Sequence, residues 1–116
     1  MTALLKILIG VEYADKALKK ILIDRNTAIV TLTHDPKLDD PALEYSLKTN
    51  AFYIGCLGSK KTHNSRILRL KKKGINEEQL NKLNGPVGLS IGAKTPSEIA
   101  ISIISQIILF KNTINA

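Results

Sequence analysis

Tryptophan is absent from this 116-residue chain, cysteine occurs once, and aromatic residues make up 4%. One cysteine forms no internal disulfide, and two histidines beside it leave no ligand set for a structural zinc cluster. Scarce aromatics provide few platforms for stacking bases, which weighs against nucleic-acid binding. Acidic residues are also few: ten Asp and Glu face seventeen Lys and Arg, a formal charge of +7. That surplus points to an anionic partner without choosing among nucleotide, nucleic acid, acidic protein and lipid headgroup. Long apolar runs are missing as well. The richest stretch, Ile99 to Phe110, carries Ser102, Ser105 and Gln106 and falls short of the ~20 apolar residues a bilayer requires. The run Leu4 to Ile9 is interrupted by Lys6 and is followed by no small-residue cleavage site. The expectation is a cytosolic chain with no membrane segment.

The 44% hydrophobic and 23% charged residues fit one globular domain over residues 1–116. Leu4 to Ile9, closed by Gly10, reads as a buried strand, and Ala14, Leu18, Ile21 and Leu22 follow at helical spacing. The β-branched run Thr27–Thr33 predicts a second strand. Asp40 before Pro41 predicts an N-cap and a helix reaching about Asn50. Ala51–Ile54 predicts a third strand, and a basic helix follows Ser59 and stops at Gly74 with Ile67, Leu68 and Leu70 facing inward. Asn76 caps a short helix containing Leu80 and Leu83, and Val87–Leu89 predicts a last short strand. Thr95-Pro96-Ser97-Glu98 combines a capping box with a proline just inside the final helix, which runs through Phe110. Alternating strands and helices with uniformly apolar strands predict an α/β fold: a parallel sheet of about four strands with helices on both faces.

In such sheets ligands bind beyond the carboxyl ends of the strands, where helix amino termini present free N–H groups. The turn Gly55-Cys56-Leu57-Gly58-Ser59 falls at one such place. Lys60 and Lys61 follow in the first helical turn, where the macrodipole disfavours cations by ~0.3–1 kcal/mol each. No acidic residue occurs between Glu44 and Glu77 to neutralise them, so a bound phosphate or carboxylate is the reading that makes the arrangement favourable. His34 and Asp35, directly after the second strand, are candidates to frame the same pocket; no nucleophile nearby suggests a catalytic dyad. Cys56 reads as a small residue packed beside the turn. The basic helix with Arg66, Arg69 and Lys71–Lys73 also suits nucleic-acid phosphates, although no helix-turn-helix or RNA-binding signature accompanies it. The isoleucine rows of the last helix make it apolar around much of its circumference, with one face to spare for a subunit interface.

Three strings occur in order: Leu32-Thr33-His34-Asp35-Pro36-Lys37-Leu38-Asp39, Phe52-Tyr53-Ile54-Gly55-Cys56-Leu57-Gly58-Ser59-Lys60-Lys61, and Gly85 through Ala100. Together they resemble the carboxyl-terminal Rossmann domain of the XdhC/CoxI family, the xanthine dehydrogenase accessory proteins. The resemblance implies a maturation factor that acts by binding rather than by bond making, assisting the sulfuration and delivery of the molybdopterin cofactor to a molybdenum hydroxylase apoenzyme. It places the family's Gly-x-x-Gly-Ser turn on Gly55, Gly58 and Ser59, its basic pair on Lys60 and Lys61, and its Thr-His-Asp motif on Thr33, His34 and Asp35. The ligand implied is a molybdopterin-type cofactor or an NAD(P)-like dinucleotide, and either carries the phosphate that the turn calls for.

The chain departs from the family pattern in lacking the opening strand, Gly-rich turn, helix and second strand, and in having Ser90 where aspartate is common. The expected fold is therefore a Rossmann-like sheet truncated at its amino terminus. Its first strand must pair directly with Thr27–Thr33, or another chain must fill the gap. A homo-oligomer or a companion chain follows as the expected partner. The competing expectation is a non-catalytic interaction module that has kept the fold and lost the ligand.

Overall fold

The computed structural model describes residues 6–10, 22–33 and 35–114. The apolar run near the amino terminus forms β1 (Lys6–Gly10), and the β-branched run forms β2 (Thr27–Thr31). Helix α1 (Pro36–Ser46) leads to β3 (Tyr53–Cys56), and α2 (Lys60–Lys72) to the single-turn helix α3 (Glu77–Leu80). The short strand β4 (Leu83–Asn84) precedes the long α4 (Pro96–Ile114). The helix expected over Ala14–Leu22 lies outside the described residues except for Leu22.

All pairings are parallel, in the order β1-β2-β3-β4. β1 pairs with β2 along its whole length, from Lys6↔Thr27 to Gly10↔Thr31, so no strand from elsewhere intervenes between them. Side chains alternate across the sheet as the pleat dictates. Ile29, Ile54 and Cys56 enter a core with Leu43 and Leu47 of the α1 region, Leu70 of α2 and Leu80 of α3. Ala28, Val30 and Tyr53 enter a second core with Val87 and with Ile103 and Ile107 of α4. The helices thus cover both faces, giving the three layers expected.

Several boundaries move, each for a local reason. α1 begins at Pro36 rather than Pro41. Asp35-Pro36 offers the same capping chemistry five residues earlier, and the Asp35 carboxylate accepts from the Lys37 amide at 3.0 Å. Pro41 then lies inside the helix, and Asp40 serves as the partner of Arg69 at 2.7 Å. β3 runs two residues later than expected, which draws Gly55 and Cys56 out of the turn and into the sheet. The last strand is Leu83–Asn84, not Val87–Leu89: Ile54 and Gly55 pair with these residues, and the cis Gly85–Pro86 bond interrupts the ladder. Val87 still follows β3, its amide donating to the Cys56 carbonyl at 3.1 Å.

The capping expectations hold. Asn76 and Gln79 form a reciprocal capping box on α3, and the Glu98 carboxylate accepts from the Thr95 and Lys94 amides at the start of α4. These amides hold the Glu98 carboxyl below its usual range. At 19 residues, α4 is by length and composition long enough to cross a membrane, which overturns the exclusion based on run length. Its inner row is nevertheless committed to the sheet: Ser102, Ile103 and Ile107 are buried, and Gln106 braces the Gly88 backbone through both its amide atoms.

Candidate functional site

The carboxyl ends of β2 and β3 deliver the chain into two helix amino termini, those of α1 and α2. At α2 the cap is Ser59, whose Oγ accepts from the Thr62 amide at 3.1 Å and lies 3.0 Å from the Thr62 hydroxyl. Gly58 precedes it at φ +147°, a conformation open to glycine and strained for other residues. A Cβ there would stand 3.2 Å from the Arg66 guanidinium and 3.3 Å from Thr62, so the turn passes directly over that guanidinium. Lys60 and Lys61 occupy the first turn of α2, which contains no acidic residue. Both are exposed, and among the described residues neither has a carboxylate within salt-bridge distance.

Gly58, Ser59, Lys60 and Lys61 thus come together at the mouth of the turn. Gly55 stands behind them, buried in β3, where the space a side chain would take belongs to Val87 and Tyr53. Asp35 caps the neighbouring helix, its exposed carboxylate committed to the Lys37 amide. His34 lies outside the described residues.

Beneath the turn is a buried polar cluster. Cys56 is fully buried, with its sulfur 3.9 Å from the Asp39 carboxylate, and Asp39 also accepts from the Thr33 hydroxyl at 2.6 Å. Burial raises the Cys56 thiol above its ordinary range; the Thr31 hydroxyl and the Arg66 guanidinium oppose that shift, and Asp39 and Asp40 reinforce it. The thiol is therefore protonated and inert at neutral pH. Thr31 stands opposite Cys56 in the ladder, and its hydroxyl is buried without a hydrogen bond of normal geometry.

Arg66 is the residue that the sequence reading missed. The basic run around it reads as a solvated face, yet Arg66 is only 3% exposed, whereas Leu68, expected to face inward, is 61% exposed. The signal was present in the spacing: His63, Arg66, Ile67 and Leu70 recur at three- and four-residue intervals and form one stripe. The guanidinium donates to the Leu57 carbonyl at 3.0 Å and lies 3.3 Å from His63 Nδ1. His63 is held below its ordinary pKa of 6.5, first by burial and then by the neighbouring Arg66 charge. Its neutral ring packs on Gly85, where a Cβ would come within 2.1 Å of Nδ1.

An open groove of about 360 Å³ runs between α1 and α2, bounded by Pro36, Pro41, Leu70 and the Arg69–Asp40 pair. It includes none of the residues expected from the sequence to bind a ligand. The arrangement at the turn suits holding an anion: amides at a helix start, flanking ammonium groups and a buried guanidinium below. A phosphate fits these donors.

A family model described as the XdhC Rossmann domain matches residues 8–107. The molybdenum cofactor insertion chaperone PaoD of Escherichia coli K12 is 32% identical over 85 residues, covering 73% of this chain and 27% of that protein. A probable xanthine dehydrogenase component of Bacillus subtilis 168 is 30% identical over 96 residues, covering 83% of this chain and 27% of its own length. The crystal structure of a xanthine dehydrogenase from Bacillus halodurans matches with a TM-score of 0.70 at 37% identity, over 89% of this chain and 29% of that one. The chain therefore spans roughly a quarter of the length of these relatives.

Proposed function

This chain belongs to the XdhC Rossmann domain family, and from that premise we propose that it takes part in the maturation of a molybdenum hydroxylase, holding a phosphate-bearing molybdopterin-type cofactor at the β3–α2 turn. The relative described as a molybdenum cofactor insertion chaperone supplies the class of role. A chaperone must grip a cargo and let it go. Gripping through a phosphate does this without covalent chemistry and leaves the rest of the cofactor free for the receiving apoenzyme.

The observation that carries the reading is the start of α2. Ser59, Lys60 and Lys61 stand there with no acidic residue in the first turn, behind a glycine that lets a ligand approach the backbone. An anion reverses the unfavourable interaction between the two ammonium groups and the helix dipole. Asp35, at the start of the adjacent helix, and His34 before it complete the rim in this reading.

Calorimetry tests it. Molybdopterin-type cofactor should release heat on binding, and Lys60→Ala with Lys61→Ala should weaken the complex by about tenfold. Nicotinamide dinucleotides, titrated in parallel, decide whether the phosphate belongs to that alternative ligand. Silence with every ligand would remove the reading.

The expected homo-oligomer, in the cytoplasm, has a surface on which to form. Ile101, Ile104 and Ile108 make an exposed row along α4 at spacings of three and four residues. Light scattering should give a mass above 12.7 kDa that returns to this value in Ile104→Asp.

A further inference from the structure

A long basic side chain turned into a protein interior normally meets a carboxylate. Arg66 does not. Its partners are one carbonyl and one neutral imidazole, and among the described residues no carboxylate lies within salt-bridge distance. Other cations of α2 find cheaper solutions: Lys60, Lys61, Lys72 and Lys73 are exposed, Lys71 pairs with Glu77, and Arg69 pairs with Asp40. Leaving a guanidinium buried with only neutral partners is costly, because neither partner returns the solvation lost. A second deficit lies alongside. The Thr31 hydroxyl is buried with no normal hydrogen bond, in register with Cys56, whose thiol feels the Arg66 charge. Both deficits stand under the same turn, with the guanidinium at 3.2 Å from the position a Gly58 Cβ would take.

We propose that Arg66 is the positioning residue of the anion site, its unpaired charge held beneath the Gly58–Ser59 turn to select a multiply charged phosphate. The inference rests on the anion-site reading above and adds the residue that sets the ligand's charge. Arg66 acts through the turn in two ways. Its hydrogen bond to the Leu57 carbonyl fixes the backbone that presents the Ser59 cap. Its charge raises the potential above that backbone in a region of low dielectric, where each added negative charge on the ligand is rewarded more than in water. Pyrophosphate should therefore bind more tightly than inorganic phosphate, and phosphate more tightly than the monoanion acetate.

Arg66→Gln separates charge from anchorage, since the glutamine amide can still donate to the Leu57 carbonyl. In the full chain, thermal melting of this variant without ligand should be unchanged or higher than wild type, because an uncompensated buried charge has been removed. Its affinity for pyrophosphate by calorimetry should fall by roughly tenfold, with a smaller loss for inorganic phosphate. Arg66→Lys, which keeps the charge, should recover most of the pyrophosphate affinity.

Several results overturn the inference. They are an Arg66→Gln variant that binds pyrophosphate as wild type does, one that melts lower or fails to fold, and an Arg66→Lys variant no better than Arg66→Gln. Any of these marks a structural anchor only and leaves the anion site standing. Wild type that takes up neither phosphate nor pyrophosphate removes the anion site itself, and the inference with it.

Discussion

The two faces of the sheet are closed in different ways. On the α4 face the core is apolar and its polar groups are satisfied. Tyr53 donates to Gln106 Oε1, which also accepts from the Gly88 amide, while the Tyr53 ring meets Phe110 edge-on at 5.3 Å. On the face covered by α1, α2 and α3, apolar packing shares the space with Asp39, Cys56, Thr31 and Arg66. One face is finished by the chain's own contacts. The other leaves a guanidinium without a counter-charge and a hydroxyl without a bond, both at the ligand-binding edge of the sheet. A small domain retains such unmet groups where binding supplies what folding does not.

The largest expected effect tests how completely the α4 face is closed. Ile107, 0% exposed, should cost about 2–5 kcal/mol on replacement by alanine, read as a lower urea midpoint. Ile104→Ala, on the 42% exposed outer row of the same helix, should stay within about 0.5 kcal/mol in a monomer. A loss at Ile104 approaching that at Ile107 would mean that a second copy covers the outer row. The comparison would then concern three buried surfaces rather than two.

An intermediate effect is expected at Tyr53. Tyr53→Phe removes one donor but leaves Gln106 bonded to the Gly88 backbone, so about 1 kcal/mol should be lost in the same measurement. Burial raises the phenol's pKa, so its contribution is present below the ordinary tyrosine value and is lost as alkaline pH rises through the higher folded one. The variant should lack this alkaline loss.

The smallest effect belongs to the other face. His63 is held neutral, with its folded pKa below 6.5. Its contribution to stability is complete above pH 6.5 and disappears as pH falls through the lower folded value. Replacing it by glutamine should flatten the acid limb of the urea midpoint by less than ~1 kcal/mol, since the ring is only partly buried. An unchanged acid limb would show that the pairing of His63 with Arg66 has no energetic weight. The contrast between the faces would then rest on Arg66 and Thr31 alone.

Much of this was legible in the residues. The β-branched run Thr27–Thr31, the Asn76 and Thr95 caps and the glycine after α2 are local signals, and local chemistry placed them correctly. Gly58, Ser59, Lys60 and Lys61 were legible as a group because they are consecutive. The start of α1 was misplaced because two Asp-Pro pairs carry the same capping chemistry. Only Asp40's approach to Arg69, 29 residues away, decides which pair caps the helix. The last strand was misplaced because pairing with β3 depends on a neighbour remote in sequence, and Leu83 carries no mark of it.

The sequence by itself determined the alternation of strand and helix, the parallel sheet, the family and the position of the basic turn, since each follows from periodicity, caps or consecutive motifs. The tertiary structure alone decided that Arg66 turns inward while Leu68 turns outward, and that a thiol and a hydroxyl meet beneath the turn. The reason is that burial belongs to the packed assembly of helices on the sheet. A basic residue and a leucine on one helix exchange their expected places when the stripe facing the sheet passes through the basic one.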